Sequence, residues 1–144
     1  MYQKRLTFLF ATTICCCQPA LADGFIVSGT VMFAGAGDIY VALVDRTNFD
    51  APNQASHQLK LTPTKTQRSH GSIRFSFENV AVGSYAIKTF LDENGNGELD
   101  MGMFGPQEPW AIFQPASSSW GAPDFEEVKF LLDSSMSNIE LLLE

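Results

Sequence analysis

Cysteine is missing from everything beyond residue 17: the chain's three cysteines are Cys15, Cys16 and Cys17. No apolar run reaches the roughly 20 residues that a spanning helix needs. The longest candidate, residues 6–17, covers 12 and is interrupted by threonines. Basic residues are scarce, nine Lys and Arg against sixteen Asp and Glu, which argues against a nucleic-acid partner because phosphates select the opposite sign. No stretch carries the 3.6-residue apolar spacing of an amphipathic helix, and no internal repeat or low-complexity tract appears.

What is present at the start reads as an export signal. Lys4 and Arg5 precede the apolar run, and Pro19 precedes Ala20, Leu21 and Ala22, the small-x-small pattern of a signal-peptidase site. Cleavage after Ala22 leaves a single domain over residues 23–144. A 12-residue run is too short for an uncleaved membrane anchor. A lipid anchor would want a small residue just before its cysteine, whereas Ile14, Cys15 and Cys16 stand there. The expected location is extracytoplasmic, periplasmic or secreted, with no disulfide available to the mature domain.

The charge is unevenly placed. Residues 23–91 carry six basic and five acidic side chains, whereas residues 92–144 carry one and eleven. A net charge of −10 in the last 53 residues is repulsive unless water or cations offset it. Seven short β-rich runs are predicted, at 25–33, 38–44, 58–62, 72–80, 84–91, 128–132 and 139–143. Residues 72–80 alternate Ile73, Phe75 and Phe77 with Arg74, Ser76 and Glu78. Residues 84–91 set Tyr85, Ile87 and Thr89 against Ala86, Lys88 and Phe90. With no helix expected between them, these runs predict an all-β antiparallel sandwich of about seven strands. The region 101–125, with four prolines, reads as a long loop whose aromatics argue for order.

The sharpest motif is Asp92-Glu93-Asn94-Gly95-Asn96-Gly97-Glu98-Leu99-Asp100. Its D-x-N-x-N-G-x-x-D pattern matches the first nine positions of an EF-hand-type calcium loop. A hard cation needs oxygens at alternate positions as the chain wraps it: side chains of Asp92, Asn94 and Asn96, the Glu98 carbonyl, then Asp100. Gly97 stands where the chain must turn sharply. The bidentate Glu of the last position is replaced by Met103. Glu108, Asp124, Glu126 and Glu127 are the candidates for the remaining ligand, and a weak calcium site, with a dissociation constant on the order of 10⁻⁴–10⁻³ M, is expected. The competing reading is a plain Asn-Gly turn, which does not account for four carboxylates crowded onto it.

Other chemistry is thinly represented. His57 and His70 have no partner at ligand spacing and read as surface residues. No G-x-S-x-G elbow or phosphate loop is present, so a hydrolase is the least favoured reading. Trp110, Phe113 and Trp120 form a possible platform for a glycan or peptide, against the more ordinary role of plugging the sandwich.

These pieces, in order, resemble a family of secreted bacterial domains of unknown function, number 2141. The resemblance runs through Phe77-Glu78-Asn79-Val80, Gly83-Ser84-Tyr85-Ala86-Ile87, the 92–100 loop, Gly105-Pro106-Gln107-Glu108 and Pro123-Asp124-Phe125-Glu126. The Gly-x-Tyr piece is shared with many prealbumin-like repeats. After Glu108 the chain departs from the family's Gly-Tyr-Gly-Phe-Ser-like continuation and reads Pro109-Trp110-Ala111-Ile112-Phe113. The resemblance implies a prealbumin-like sandwich outside the cytoplasm and no particular activity. The expectation is therefore a non-enzymatic, calcium-stabilised domain with an unidentified protein, peptide or glycan partner, and with neither nucleic acid nor a membrane span.

Overall fold

The computed structural model describes residues 24–114 and 122–144; residues 1–22, read above as an export signal, and Trp120 lie outside them. The seven expected strands are all present: β1 (Phe25–Met32), β2 (Asp38–Val44), β3 (His57–Leu61), β4 (Ser72–Val80), β5 (Gly83–Asp92), β9 (Phe130–Leu132) and β10 (Met136–Leu142). Three short strands join them: β6 (Met101–Gly102), β7 (Gly105–Pro106) and β8 (Trp110–Ile112). One sheet has the order β10-β1-β4. The other runs β3-β2-β5-β8, with β9 sharing the β5 edge further along.

Alternation explains the core. Val27 and Val31 of β1, Ile73, Phe75 and Phe77 of β4, and Ile139 and Leu141 of β10 face Ile39, Val41, Leu43, Ile87 and Leu91 of the second sheet, and all are buried. Residues two apart on a strand share a face, so each sheet covers the other. The Gly-x-Tyr piece also acquires a reason here. The Tyr85 hydroxyl donates to the Ala81 carbonyl at 3.2 Å, and a Cβ at Gly83 would lie 3.1 Å from the Tyr85 ring. Glycine lets the ring lie back over its own strand entry.

The all-β sandwich is as expected, with three differences in detail. One pair of strands, β1 and β10, is parallel. Helix is present among the strands: α1 (Lys65–His70) and α2 (Phe125–Val128) both occur, with a 3-10 turn at Pro52–Gln54. The α1 turn is polar and buries nothing, so no apolar period betrays it. Its sequence signal is the box Thr64-x-x-Gln67: the Gln67 N–H donates to Thr64 Oγ1 at 3.3 Å and the Thr64 N–H to Gln67 Oε1 at 2.8 Å. Finally, the described residues 101–114 are not one continuous loop. They form the β6–β7 hairpin and then return to the sheet as β8, where Trp110 pairs with Phe90 and Ile112 with Lys88. Pro109 precedes the edge strand, where a missing N–H is tolerated, and its carbonyl accepts from the Leu91 N–H at 2.9 Å.

The outer face of the second sheet is divided. At one end Phe49, Phe125 and Val128 cover Ala42, Val44 and Ala86 in a second small core. The other end, carrying Tyr40, Phe90 and Trp110, lies beside the 92–100 loop. No helix among the described residues is long and apolar enough to cross a membrane.

Candidate functional site

The 92–100 loop leaves the end of β5, and Asp92 is its anchor. This carboxylate is 1% exposed. Its Oδ1 accepts from the N–H groups of Gly95 (2.7 Å) and Asn96 (3.1 Å), and its Oδ2 from that of Gly97 (2.9 Å). The chain curls around one carboxylate, which requires positive φ at Gly95 (+79°) and Gly97 (+80°). A Cβ at Gly97 would also stand 3.3 Å from the Tyr40 hydroxyl.

The next ligand positions form a chain of Asx turns. Asn94 Oδ1 accepts from the Asn96 N–H at 2.9 Å, and Asn96 Oδ1 accepts from the Glu98 N–H at 2.8 Å. The amide of Asn94 donates to Asp100 Oδ2, and that of Asn96 to both oxygens of Asp100 at 3.2 Å. Asp92, Asn94, Asn96 and Asp100 are thus drawn into one small knot, with Glu98 on its rim. Among the described residues no three His, Cys, Asp or Glu side chains cluster as a metal site; the knot mixes carboxylates with amides.

Of the four candidates for a further oxygen, only Glu108 is brought to the loop. It is 7% exposed. Its Oε1 accepts from the Glu93 N–H at 2.9 Å and its Oε2 from the Asp100 N–H at 3.3 Å. The β6–β7 hairpin makes this possible, because its reversal returns the chain to the loop and lets the Gln107 N–H donate to the Asp100 carbonyl at 2.8 Å. The rest are engaged elsewhere. Asp124 and Glu127 cap α2 reciprocally. Glu126 bridges to Arg46 at 3.1 Å and to Lys129.

Of the aromatic platform residues, Trp110 and Phe113 are described and lie on opposite faces of the sheet. Trp110 lies on the outer face of the second sheet, in register with Phe90 and through it with Tyr40. Phe113 packs inward, edge-on to Phe130 with ring centroids 5.6 Å apart, and belongs to the main core's border. Tyr40 and Phe90 are the aromatics that sequence reading passed over. They stack at 5.0 Å and 6° across neighbouring strands, a juxtaposition that strand register alone creates. Together with Lys88, Asp50, Asn53, Glu98 and Trp110 they line a groove of about 1110 Å³. The histidines take no part: the His57 ring lies edge-on to Phe77 at 6.3 Å, and His70 ends α1.

At the tip of the β6–β7 hairpin, Met103 is 91% and Phe104 99% exposed. Phe104→Ser is therefore expected to shift the urea unfolding midpoint by no more than about 0.5 kcal/mol equivalent. A larger loss would mean that the side chain has a cover within the molecule.

No curated protein and no solved structure matches the chain. A family match extends over residues 30–140, from within β1 to within β10, and so includes both sheets, the acidic loop and Glu108. The chain belongs to the DUF2141 family, described as an uncharacterized protein conserved in bacteria.

Proposed function

We propose that this protein is an exported, non-enzymatic β-sandwich whose 92–100 loop holds a structural calcium ion. The observation that carries the reading is the buried Asp92 carboxylate, wrapped by three successive backbone N–H groups with Asn94, Asn96 and Asp100 gathered beside it. The donor set suits a hard cation: carboxylate, amide and peptide oxygens with no nitrogen or sulfur ligand required. Asp92, Asn94, Asn96 and Asp100 would bind through side chains, and Glu98 through its carbonyl. Glu108 supports the loop from behind and is the nearest source of another oxygen.

A bound cation would supply positive charge where the chain is most acidic, and hold together a loop otherwise tied by amide–carboxylate bonds. The loop's neighbours benefit in turn, because Asp100 and Glu108 bracket the β6–β7 hairpin. With a dissociation constant of about 10⁻⁴–10⁻³ M, 10 mM calcium would stabilise the fold by about 1.4–2.7 kcal/mol. For a domain of this size that is a rise in melting temperature of roughly 5–10 °C. Export agrees with this weakness, since such affinities belong to extracellular modules.

Calcium titration by calorimetry, beside thermal melts in calcium and in chelator, is the test. A saturable heat with a matching rise in melting temperature is expected. No heat and no shift at 10 mM calcium would reduce the loop to a self-capped turn.

A further inference from the structure

We propose that Asn94 and Asn96 are latent deamidation sites, held unreacted in the native fold by Asp92 and Asp100. Each asparagine is followed by a glycine, Gly95 and Gly97. Lacking a Cβ, glycine leaves its own backbone nitrogen unshielded and its backbone free to turn, so the preceding asparagine amide can close onto it. Both asparagines are exposed, so water reaches the cyclised product.

The chemistry is intramolecular and needs only water. The glycine nitrogen forms a bond to Cγ of the preceding asparagine, and the bond from that Cγ to the side-chain nitrogen breaks. The side-chain nitrogen leaves as ammonia, carrying the proton that the glycine N–H gave up. Water then opens the cyclic imide at either carbonyl, giving aspartate or isoaspartate. Aspartate adds a carboxylate to the most acidic part of the chain. Isoaspartate lengthens the backbone by one carbon and destroys the spacing on which the Asx turns depend.

Three conditions must be met, and the loop opposes each of them. The nucleophile must release its proton, but the Gly95 N–H donates to Asp92 Oδ1 at 2.7 Å and the Gly97 N–H to Asp92 Oδ2 at 2.9 Å. A buried carboxylate holds these protons and disfavours a second negative charge beside it. The amide carbon must swing onto that nitrogen, but Asn94 Oδ1 is held by the Asn96 N–H at 2.9 Å and Asn96 Oδ1 by the Glu98 N–H at 2.8 Å. The leaving nitrogen must be free to depart, but both side-chain amides donate to Asp100. Each asparagine is thus tied at its oxygen and its nitrogen while its attacker is tied to Asp92. Reaction requires the loop to open, and its rate follows the open fraction. These ties exist without a bound ion, so the inference does not rest on calcium.

The purified protein would be held in mildly alkaline buffer with chelator, either native or unfolded in guanidinium, and conversion at Asn94 and Asn96 followed by peptide-mapping mass spectrometry. The native chain is expected to convert at least about tenfold more slowly than the unfolded chain. Asp100→Ala, shown to be folded by its melting temperature, is expected to speed native conversion at least about threefold, because it frees both side-chain amides. Asp100→Ser is read in the same way should alanine fail to fold. Gly29→Ala weakens the fold away from the loop and should leave the native rate at that of the parent. Equal rates in the native and unfolded parent would overturn the inference. So would an unchanged rate in the folded Asp100 variant, or an acceleration by Gly29→Ala as large as that variant's, which would tie the reaction to global unfolding.

Discussion

Asp92→Ala is expected to destabilise the domain by about 3 kcal/mol or more, a fall in melting temperature of roughly 10–15 °C. The carboxylate is buried and accepts from Gly95, Asn96 and Gly97. Alanine would leave the N–H groups of Gly95 and Gly97 without their acceptor, both at positive φ, while that of Asn96 keeps only Asn94 Oδ1. Each charge-assisted bond of this kind contributes about 1.5–3 kcal/mol, and water admitted to the loop recovers part of the loss. Because these bonds exist without any ion, the loss should persist in chelator. Asp100→Ala separates the two roles: among the described residues its carboxylate takes only the side-chain amides of Asn94 and Asn96. That variant should melt within about 1 kcal/mol equivalent of the parent in chelator and lose the calcium-induced rise. If Asp92→Ala melted within 2 °C of the parent, the loop would not be anchored as described.

Gly29→Ala carries an effect of similar size for a different reason. Gly29 pairs with Phe75 on one side and Ile139 on the other, at the centre of the β10-β1-β4 sheet. A Cβ there would lie 2.1 Å from the Ile139 carbonyl oxygen and 2.8 Å from its carbonyl carbon. Both are backbone atoms, so relief requires β10 to move away from β1. Overpacking in a tight interior costs about 1–3 kcal/mol and occasionally more, and the upper end is expected because the strand pairing itself must yield. Urea unfolding monitored by far-ultraviolet circular dichroism would measure it. A loss below about 1 kcal/mol would mean that the parallel pair separates cheaply.

Much of this molecule was legible from local pattern. The two-residue alternation of 72–80 set Ile73, Phe75 and Phe77 on one face of a half-buried strand, and all three are found in the core, because one buried sheet face demands that period. The spacing of Asp92, Asn94, Asn96, Gly97 and Asp100 likewise marked a tightly wound loop, since only glycine adopts the required φ cheaply and only short polar side chains close Asx turns.

Other features depend on who meets whom across the chain, which periodicity does not encode. Sequence alone placed Glu108 level with Asp124, Glu126 and Glu127; the β6–β7 reversal brought Glu108 to the backbone of Glu93 and Asp100, while α2 drew the others away. Trp110 and Phe113 looked equivalent until β8 joined β5 and sent one outward and the other into the core's edge. Tyr40 and Phe90 are 50 residues apart and meet only through strand register. The parallel β1–β10 pair joins the two ends of the domain. Composition and spacing by themselves determined a β-rich domain with an acidic, glycine-turned loop, because those depend on a few neighbouring residues. Tertiary structure alone decided which carboxylate supports the loop and which aromatics share a groove, because contacts between distant segments are selected by packing of the whole core.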